Sequence, residues 1–161
     1  MSKAASGLFK STIGAQHVLT FSRNRSKNFL VGDSQAPQKL SPEEIRYSQT
    51  SVNDADSIAD SMREHGWVGA PIDVVRMPDG ELTTLDNTRV VAAREAGIDV
   101  LANVHEYGER LTSELDIERF TTPKGGIPST WGDAVENRIG KQSATFRRDY
   151  PNGSYNMNKR K

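Results

Sequence analysis

The sequence predicts a small α+β unit, because helical and extended patterns alternate between residues 53 and 105. Apolar residues recur at helical spacing ahead of Gly66, and two short apolar runs flank a Pro-Asp-Gly turn at 78–80. A second helical pattern then leads into an alternating strand. The predicted order is helix, hairpin, helix and strand, and 161 residues suffice for one domain of ordinary size with a flexible arm.

The first 40 residues are expected to form a basic arm that is partly disordered or ordered by a partner. They combine Gly, Ser, Asn, Gln and Lys without sustained periodicity, so they offer little apolar burial to offset the entropy of ordering. Within this arm, 17–21 has the composition of a short strand. Residues 41–150 are predicted to form the folded domain, and 151–161 a basic tail.

The first helical signals follow the arm. Ser41 is a typical N-cap and Pro42 suits the first helical position, which predicts a short helical turn. The clearest helix is predicted over 53–65, with Asn53 as its cap and Gly66 as its end. Apolar residues at i, i+3, i+4 and i+7 give this helix one buried stripe. The stripe consists of Ala55, Ile58, Ala59 and Met62.

A hairpin, a helix and a strand are predicted next. Residues 71–77 have the composition of a strand, residues 78–80 of a turn, and residues 81–85 of a return strand. A helix is predicted over 88–96, because a glycine follows it directly. A strand over 99–105 completes the unit. One face of that strand carries Val100, Ala102 and Val104.

The C-terminal extension is predicted to be helical. A helix opens at Thr112 or Ser113 and runs to about Phe120, and a loop rich in Pro and Gly follows. Ser129 or Thr130 caps a longer helix that reaches almost to the turn-rich end of the domain. The apolar face of this helix consists of Trp131, Val135, Ile139 and Phe146.

The net charge of zero conceals an uneven distribution. Residues 1–41 carry six Lys and Arg against one acid, residues 42–120 seven against seventeen, and residues 121–161 eight against three. Such a pattern fits ends that bind a polyanion around a body that faces a protein, and equally a solvated acidic surface. The chain has no cysteine, which excludes disulfides, thiolate zinc sites and cysteine nucleophiles.

The most informative segment joins the hairpin to the second helix. A strand ends at Leu85 and a helix begins almost at once, so the backbone N–H groups at its start form an anion site. Arg89, in the first turn, adds a guanidinium that suits a phosphate. The alternative is that Asp86 or Asn87 merely caps the helix and that Arg89 is a surface residue.

This segment and the helix before the hairpin resemble the ParB/sulfiredoxin-like family over about 46–106. The family's phosphate box, G-E-H-R-x-x-A-A-x-x-x-G, corresponds to residues 86–97, and Arg89, the alanine pair 92–93 and Gly97 match it. The resemblance implies a small mixed sheet with flanking helices. Two further phrases match, at 64–67 and 71–75. The box's glycine, glutamate and histidine are replaced by Asp86, Asn87 and Thr88.

These replacements disfavour the nucleotide chemistry of the family. The family's glutamate serves a metal–triphosphate, and Asn87 lacks its charge. Without the glycine, the backbone cannot approach phosphates as closely. The sulfiredoxin branch also uses a cysteine, which this chain lacks. The resemblance therefore leaves an anion-binding helix start with Asp86 as a new acid beside it.

A second resemblance covers most of the predicted domain. The segments 45–52, 71–94, 104–105 and 130–154 look like the C-terminal toxin domains of bacterial polymorphic toxins of the contact-dependent growth inhibition and Rhs types. The ParB-like members of this group are taken to be nucleases. Because the N-terminal stretch of such toxins serves delivery, the resemblance implies that 1–40 is a remnant of a delivery region.

Phosphodiester cleavage needs a base, an acid and positive charge at the transition state. His105 lies in the core of the resemblance, and the ordinary histidine pKa of about 6.5 suits an acid or base. Asp86 is expected to orient His105 or to act as the base, and Arg89 and Arg46 to stabilise the phosphate. Gln142, on the buried face of the last helix, is a structural clamp or part of the site. Structural roles for His105 and Arg46 stay open.

Other residues are expected to bind the substrate. An inward-facing Asp73 would be a second acid, and otherwise it is structural. Tyr47, Trp67 and Trp131 either stack on bases or pack in the core. The predicted substrate-binding residues are Asn87, Thr88, Gln49, Ser51 and Asp73.

These features predict an antibacterial toxin effector domain, delivered as part of a larger protein, that cleaves nucleic acid in the cytosol of a target cell. The sequence lacks a dense cluster of metal ligands, and metal-free cleavage uses the 2′-hydroxyl of RNA, so RNA, with tRNA a plausible case, is favoured over DNA. The expected partners are the nucleic acid, a cognate immunity protein and a host helper protein, with no cofactor, metal or membrane. The alternatives are a non-catalytic ParB-like DNA-binding or adaptor module and a nucleotide-dependent kinase.

Overall fold

The computed structural model describes residues 36–157 and 159–160. The short strand predicted at 17–21, and most of the predicted arm, lie outside the described residues. The end of that arm does lie within them, and it forms the first strand of the sheet, β1 (Gln38–Leu40).

Short strands and short helices alternate along the described chain. After β1, the strands are β2 (Ile45–Arg46), β3 (Ser51–Val52), β4 (Ile72–Arg76), β5 (Leu82–Thr84), β6 (Val100–Glu106) and β7 (Lys159–Arg160). The helices are α1 (Ala55–His65), α2 (Asn87–Ala96), α3 (Glu114–Phe120), α4 (Trp131–Gly140) and α5 (Ala144–Asp149), with a 3₁₀ turn at Pro42–Glu44. The predicted α+β class is confirmed.

Five of these strands form one mixed sheet in the order β1-β6-β4-β5-β2. The β4–β6 and β2–β5 pairs are parallel, whereas β1–β6 and β4–β5 are antiparallel. In the central pair, Asp73 lies opposite Asn103 and Val75 opposite His105. Because side chains alternate between faces along a strand, all four of these residues lie on the same face of the sheet.

The sheet packs helices on both faces. Helices α1 and α2 cover one face, where Val100 and Ala102 are fully buried and Val104 packs beside them, which confirms the predicted face of this strand. Helix α4 covers the other face. The hydrophobic core between this face and α4 contains Val75, Met77, Leu85, Leu111, Phe120, Trp131, Ala134, Val135, Ile139 and Phe146. Among the described residues, no helix has the length and apolar character needed to cross a bilayer.

The predicted hairpin is confirmed as β4 and β5, although both strands are shorter than expected. The N–H of Gly80 closes the turn by donating to the carbonyl of Met77 at 2.8 Å, with a positive φ of 89° that suits glycine. The second predicted helix is confirmed as α2, which begins one residue earlier, at Asn87. It ends at Gly97 as expected.

The start of α1 differs from the prediction. Asn53 is not its cap: the cap residue is Asp54, which has a left-handed φ of 60° and makes no side-chain capping bond. The predicted stripe is confirmed, with Ala55, Ala59 and Met62 buried in the core and Ile58 packed against them. Gly66 ends the helix as expected.

The prediction of a single long C-terminal helix is wrong. The chain forms α4 and α5 instead, because α4 ends at Gly140 and the Ser143 side chain caps a new helix by accepting from the N–H of Phe146. Gln142 therefore lies in the link between two helices rather than on the buried face of one. The four apolar residues predicted for that helix still share one core.

Candidate active site and basic pocket

His105 is held on three sides on the α4 face of the sheet. Its Nε2 lies 2.9 Å from Asp73 Oδ1, and its Nδ1 lies 2.7 Å from Glu109 Oε2. The ring also stacks on Trp131, with the two centroids 3.7 Å apart and the planes 11° from parallel. Only 13% of the histidine side chain is exposed, compared with 31% for Asp73 and 44% for Glu109. The imidazole is therefore enclosed, while the carboxylates beside it remain accessible.

The sheet register and the turn after β6 create this arrangement. His105 pairs with Val75, which lies two residues after Asp73 on the same face of β4. The ring of His105 is therefore a neighbour of the Asp73 side chain on that face. The turn after β6 closes through a bond from the N–H of Glu109 to the carbonyl of Glu106, at 3.1 Å, and it returns Glu109 to the ring. The carbonyl of Glu109 in turn accepts from the N–H of Trp131 at 3.0 Å, which holds the first residue of α4 under the imidazole.

The two carboxylates favour the protonated form of His105. Burial of the ring disfavours its charge, but the hydrogen bonds to Asp73 and Glu109 outweigh burial, and the pKa of His105 is raised above its usual value. A carboxylate only accepts hydrogen bonds, so a ring that donates from both nitrogens satisfies both partners. The site therefore favours an imidazolium between two carboxylates.

A carboxylate of the protein itself, that of Asp86, lies at the start of α2. Asp86 is the N-cap: its side chain accepts from the N–H of Arg89 at 3.3 Å and pairs with Arg89 Nε at 2.9 Å. Arg89 also donates to the carbonyl of Ala70 at 2.9 Å and stacks over Trp67, with Cζ 4.7 Å from the ring centroid. The Asp86 carboxylate thus occupies the position where the sequence predicts a phosphate. The carboxylates at the His105 ring are Asp73 and Glu109, not Asp86.

Arg46 lies in a structural clamp and is not brought to His105. Its guanidinium is almost fully buried and binds both carboxylate oxygens of Asp79, at 2.6 and 2.9 Å. It also donates to Thr83 Oγ1 and to the carbonyl of Glu81. Its Nε, Nη1 and Nη2 therefore all have partners within the hairpin, so we do not include Arg46 in the candidate site.

Asn87 joins α2 to the segment after β2. It is 3% exposed, and its amide accepts from the N–H of Ser48 at 2.7 Å and donates to Gln49 Oε1 at 3.2 Å. Gln49 binds the carbonyl of Ser51 at 2.8 Å, whereas the Ser51 side chain takes no part in this network. Thr88 is half-buried in the first turn of α2. Asn87 and Gln49 thus belong to one buried polar network.

The three aromatic rings considered for base stacking are packed within the protein. Tyr47 is 1% exposed and lies under the guanidinium of Arg94, which is 4.8 Å from the ring centroid. Trp67 lies under Arg89 and Trp131 under His105. These rings position charged groups, in keeping with the packing alternative.

A second polar site lies at the other end of α4. It is a pocket of about 380 Å³ lined by Gln49, Arg119, Phe120, Thr122, Arg138, Lys141 and Gln142. Gln142 accepts from the N–H and Oγ1 of Thr50, at 3.1 and 3.2 Å, and donates to the carbonyl of Arg138. Gln142 is thus a clamp between two segments, which is one of the two roles considered for it, and it also lines this pocket.

The structure brings together some predicted residues and reveals others. His105 and Asp73 meet, and Gln49 meets Gln142 at the pocket, whereas Asp86 pairs with Arg89 elsewhere. Sequence reasoning missed the site roles of Glu109, Arg119, Arg138 and Lys141. One signal was present: Arg138 lies seven residues after Trp131, on the same face of one helix. Among the described residues, no group of three acidic or histidine side chains is arranged to hold a metal ion.

No protein-family model matches the sequence, and no curated protein matches it. Among solved structures, the chain is similar to sulfiredoxin from Arabidopsis thaliana, with 25% sequence identity and a TM-score of 0.39. The match covers 45% of this chain and 86% of that chain. It concerns the backbone alone, and it does not bear on nuclease or toxin activity.

Proposed function

We propose that this chain is the nuclease domain of a bacterial toxin and that it cleaves RNA at the His105–Asp73 pair. The observation that carries the proposal is the imidazole held between two partly exposed carboxylates. An imidazolium in contact with a carboxylate supplies an acid and a base to one reacting group. Positive charge on the ring also suits the negative charge that builds up on a phosphodiester during cleavage.

The reaction uses a nucleophile that RNA itself provides. Asp73 takes the proton of the 2′-hydroxyl as the 2′-oxygen bonds to phosphorus. His105 gives its Nε2 proton to the departing 5′-oxygen as the P–O5′ bond breaks. The products are a 2′,3′-cyclic phosphate and a 5′-hydroxyl. Because Asp73 Oδ1 lies 2.9 Å from Nε2, the proton on Asp73 then returns to His105, and both groups regain their starting state.

Two residues position the acid without touching the substrate. Glu109 binds Nδ1 and keeps the ring protonated, while Trp131 fixes the plane of the ring. This arrangement resembles the logic of other catalytic histidines, in which a carboxylate on the second nitrogen sets orientation and charge.

The resemblance to polymorphic toxins supports the biological setting of the proposal. In that setting the domain is delivered as part of a larger effector and acts in the cytosol of the target cell. A cognate immunity protein protects the producer. Residues 42–120 carry seven Arg and seventeen acids, a net charge of −10. This acidic segment favours a protein partner with a basic surface. A host helper protein that delivers RNA fits the same surface.

The test is the chemistry of the product. The full chain is incubated with total bacterial RNA, or with plasmid DNA, in buffer containing EDTA, with and without bacterial extract to supply a helper protein. We expect RNA fragments that end in 2′,3′-cyclic phosphates, and intact DNA. RNA that stays intact in both conditions, with a folded protein by circular dichroism, would contradict the proposal.

One observation favours a second candidate, a non-catalytic binding or adaptor module. Both nitrogens of His105 already have partners, and Arg46 and Arg89 are engaged within the protein. Such a module binds nucleic acid and leaves it uncut, and its expression does not arrest growth. The kinase alternative is less favoured, because the amide of Asn87 is buried against Ser48 rather than offered to a metal–triphosphate.

A further inference from the structure

We propose that the pocket formed by Arg119, Arg138 and Lys141, with Gln49 and Gln142 in its wall, is a phosphate-binding subsite for the RNA strand. The ligand it takes is a phosphate oxyanion, and its assignment to RNA rests on the function proposed above. This subsite differs from the helix start at Arg89, where Asp86 already occupies the anion position.

Arg138 is a half-buried cation that forms none of the ion pairs of the described residues. Its Nη1 donates to Gln49 Oε1 at 2.8 Å and to the carbonyl of Leu85 at 3.3 Å. Among the described residues, Trp67 Nε1 is the sole buried side-chain nitrogen or oxygen without a partner, so the guanidinium nitrogens of Arg138 that lack a partner are reached by solvent, and Arg138 lines the pocket. Partial burial of a guanidinium without a direct ion pair is unfavourable, and a bound phosphate offsets that cost.

The cations around the pocket repel one another and have no acid nearby in the wall. The guanidinium carbons of Arg119 and Arg138 lie 4.8 and 5.4 Å from the same ring, that of Phe120. Burial and the charge of Arg119 lower the pKa of Arg138, against the opposing charge of Asp86. Lys141 adds a third positive charge, and the lining contains no carboxylate.

The ion pairs of the structure support the same conclusion. Within the part of the chain that the structure describes, none of the ion pairs includes Arg119, Arg138 or Lys141. Residues 42–120 alone carry seventeen acids, so carboxylates are abundant in this chain. Three cations that converge on a pocket and leave these acids outside it form a site for an external anion.

The pocket lies at a useful distance from His105. Arg138 follows Trp131 by two helical turns in α4, which separates the two sites by about 10 Å along the helix axis. They are also connected through Leu85, whose carbonyl accepts from Arg138 and whose N–H donates to the Asp73 carbonyl at 3.1 Å. A separation of this size allows one RNA strand to contact both sites.

The test separates binding from cleavage by using an uncleavable ligand. Affinity for a fluorescent 2′-O-methyl RNA oligomer is measured by anisotropy from low to high salt. The proteins are the wild type, Arg119→Gln, Lys141→Gln and Arg138→Gln. Arg148→Gln is the matched control, because Arg148 is exposed and pairs with Asp149 outside the pocket. Inorganic phosphate is added as a competitor, with chloride at equal ionic strength as its control.

We expect Arg119→Gln and Lys141→Gln each to weaken binding several-fold and to reduce the slope of log K against log salt by about 0.7. Phosphate should compete and chloride should not. If Arg138→Gln does not fold, these two exposed positions still decide the result. Salt slopes equal to that of Arg148→Gln, with no competition by phosphate, would overturn the subsite. Competition by phosphate with unchanged slopes would support a phosphate site and overturn its assignment to RNA.

This result is distinguishable from a failure of the proposed function. Uncut RNA together with the expected salt slopes supports the subsite and contradicts the nuclease. Cleavage with unchanged slopes in the pocket variants supports the nuclease and contradicts the subsite.

Discussion

The imidazole of His105 lies flat on the indole of Trp131, with ring centroids 3.7 Å apart and planes 11° from parallel. Trp131 is the first residue of α4, and a capping box between Thr130 and Asp133 fixes the start of that helix. The position of the His105 ring in the sheet is thus coupled to the start of α4, the helix that covers this face of the sheet.

The stability of the protein should depend on the protonation of His105. Its folded-state pKa is raised above the value of about 6.5 expected in the unfolded chain. The native state therefore binds this proton more tightly, and the resulting stabilisation is full below about pH 6.5 and disappears as pH rises through the folded-state pKa. Urea denaturation from pH 5 to 9 should show this decline in the wild type and not in His105→Gln. Parallel pH profiles for the two proteins would refute this linkage.

Glu109 should set the pH range of cleavage rather than its mechanism. Glu109→Gln removes a charge that favours the imidazolium, so the pKa of His105 should fall and the alkaline limit of cleavage should move to lower pH. Glu106→Gln is the control, since Glu106 is an exposed neighbour whose side chain pairs with Arg76 instead. The measurement is the pH–rate profile of RNA cleavage. A profile that shifts equally in both variants, or in neither, is incompatible with this role.

Close packing at the start of α4 makes a sharp prediction about two glycines in the same helix. A Cβ at Gly132 would lie 2.6 Å from the carbonyl oxygen of Tyr107, whereas a Cβ at Gly140 would meet nothing within 4 Å. Gly132→Ala should therefore destabilise the fold by about 1–3 kcal/mol. Gly140→Ala should be neutral or stabilising by less than about 1 kcal/mol. Chemical denaturation of both variants checks this, and equal effects would show that the contact with Tyr107 is not tight.

The Arg46–Asp79 clamp should stabilise the hairpin at neutral pH. The hydrogen-bonded guanidinium of Arg46 lowers the pKa of Asp79 to about 2. A lowered folded-state pKa contributes stability above about pH 4, which is lost as pH falls toward 2. Asp79→Asn should cost about 1–2 kcal/mol at pH 7, a modest value because Asp79 is 39% exposed. Thermal melts of the wild type and Asp79→Asn from pH 2 to 7 measure this, with a substitution of the exposed Asp99, Asp99→Asn, as the control. If Asp79→Asn melts like the wild type at every pH, the clamp does not stabilise the fold.

Local patterns were enough to predict most of the sheet and its helices. The stripe of α1, the turn at 78–80 and the glycine after α2 are signals carried by neighbouring residues, and each predicted its element correctly. The break between α4 and α5 was missed because apolar spacing continues to Phe146 across it. The Ser143 side chain caps a new helix at this point, so the chain forms two helices although the apolar spacing continues.

The candidate site was predicted less completely, because it depends on contacts between distant segments. The sequence made His105 and Asp73 separate candidates, and their contact depends on the pairing of two strands that lie thirty-two positions apart in the chain. Arg89 was expected to bind a phosphate, and Asp86 to orient His105 or act as the base. Their short separation instead lets them pair with each other. The pocket at Arg138 assembles side chains from three segments, and no single stretch of sequence carries its pattern.

The most direct test of the central claim is single-turnover RNA cleavage by His105→Ala beside His65→Ala. His65 is exposed near the end of α1, so its removal controls for the loss of a histidine as such. We expect His105→Ala, folded by circular dichroism, to lose at least about a hundred-fold in cleavage rate, and His65→Ala to cleave like the wild type. Wild-type cleavage by a folded His105→Ala protein would contradict the account.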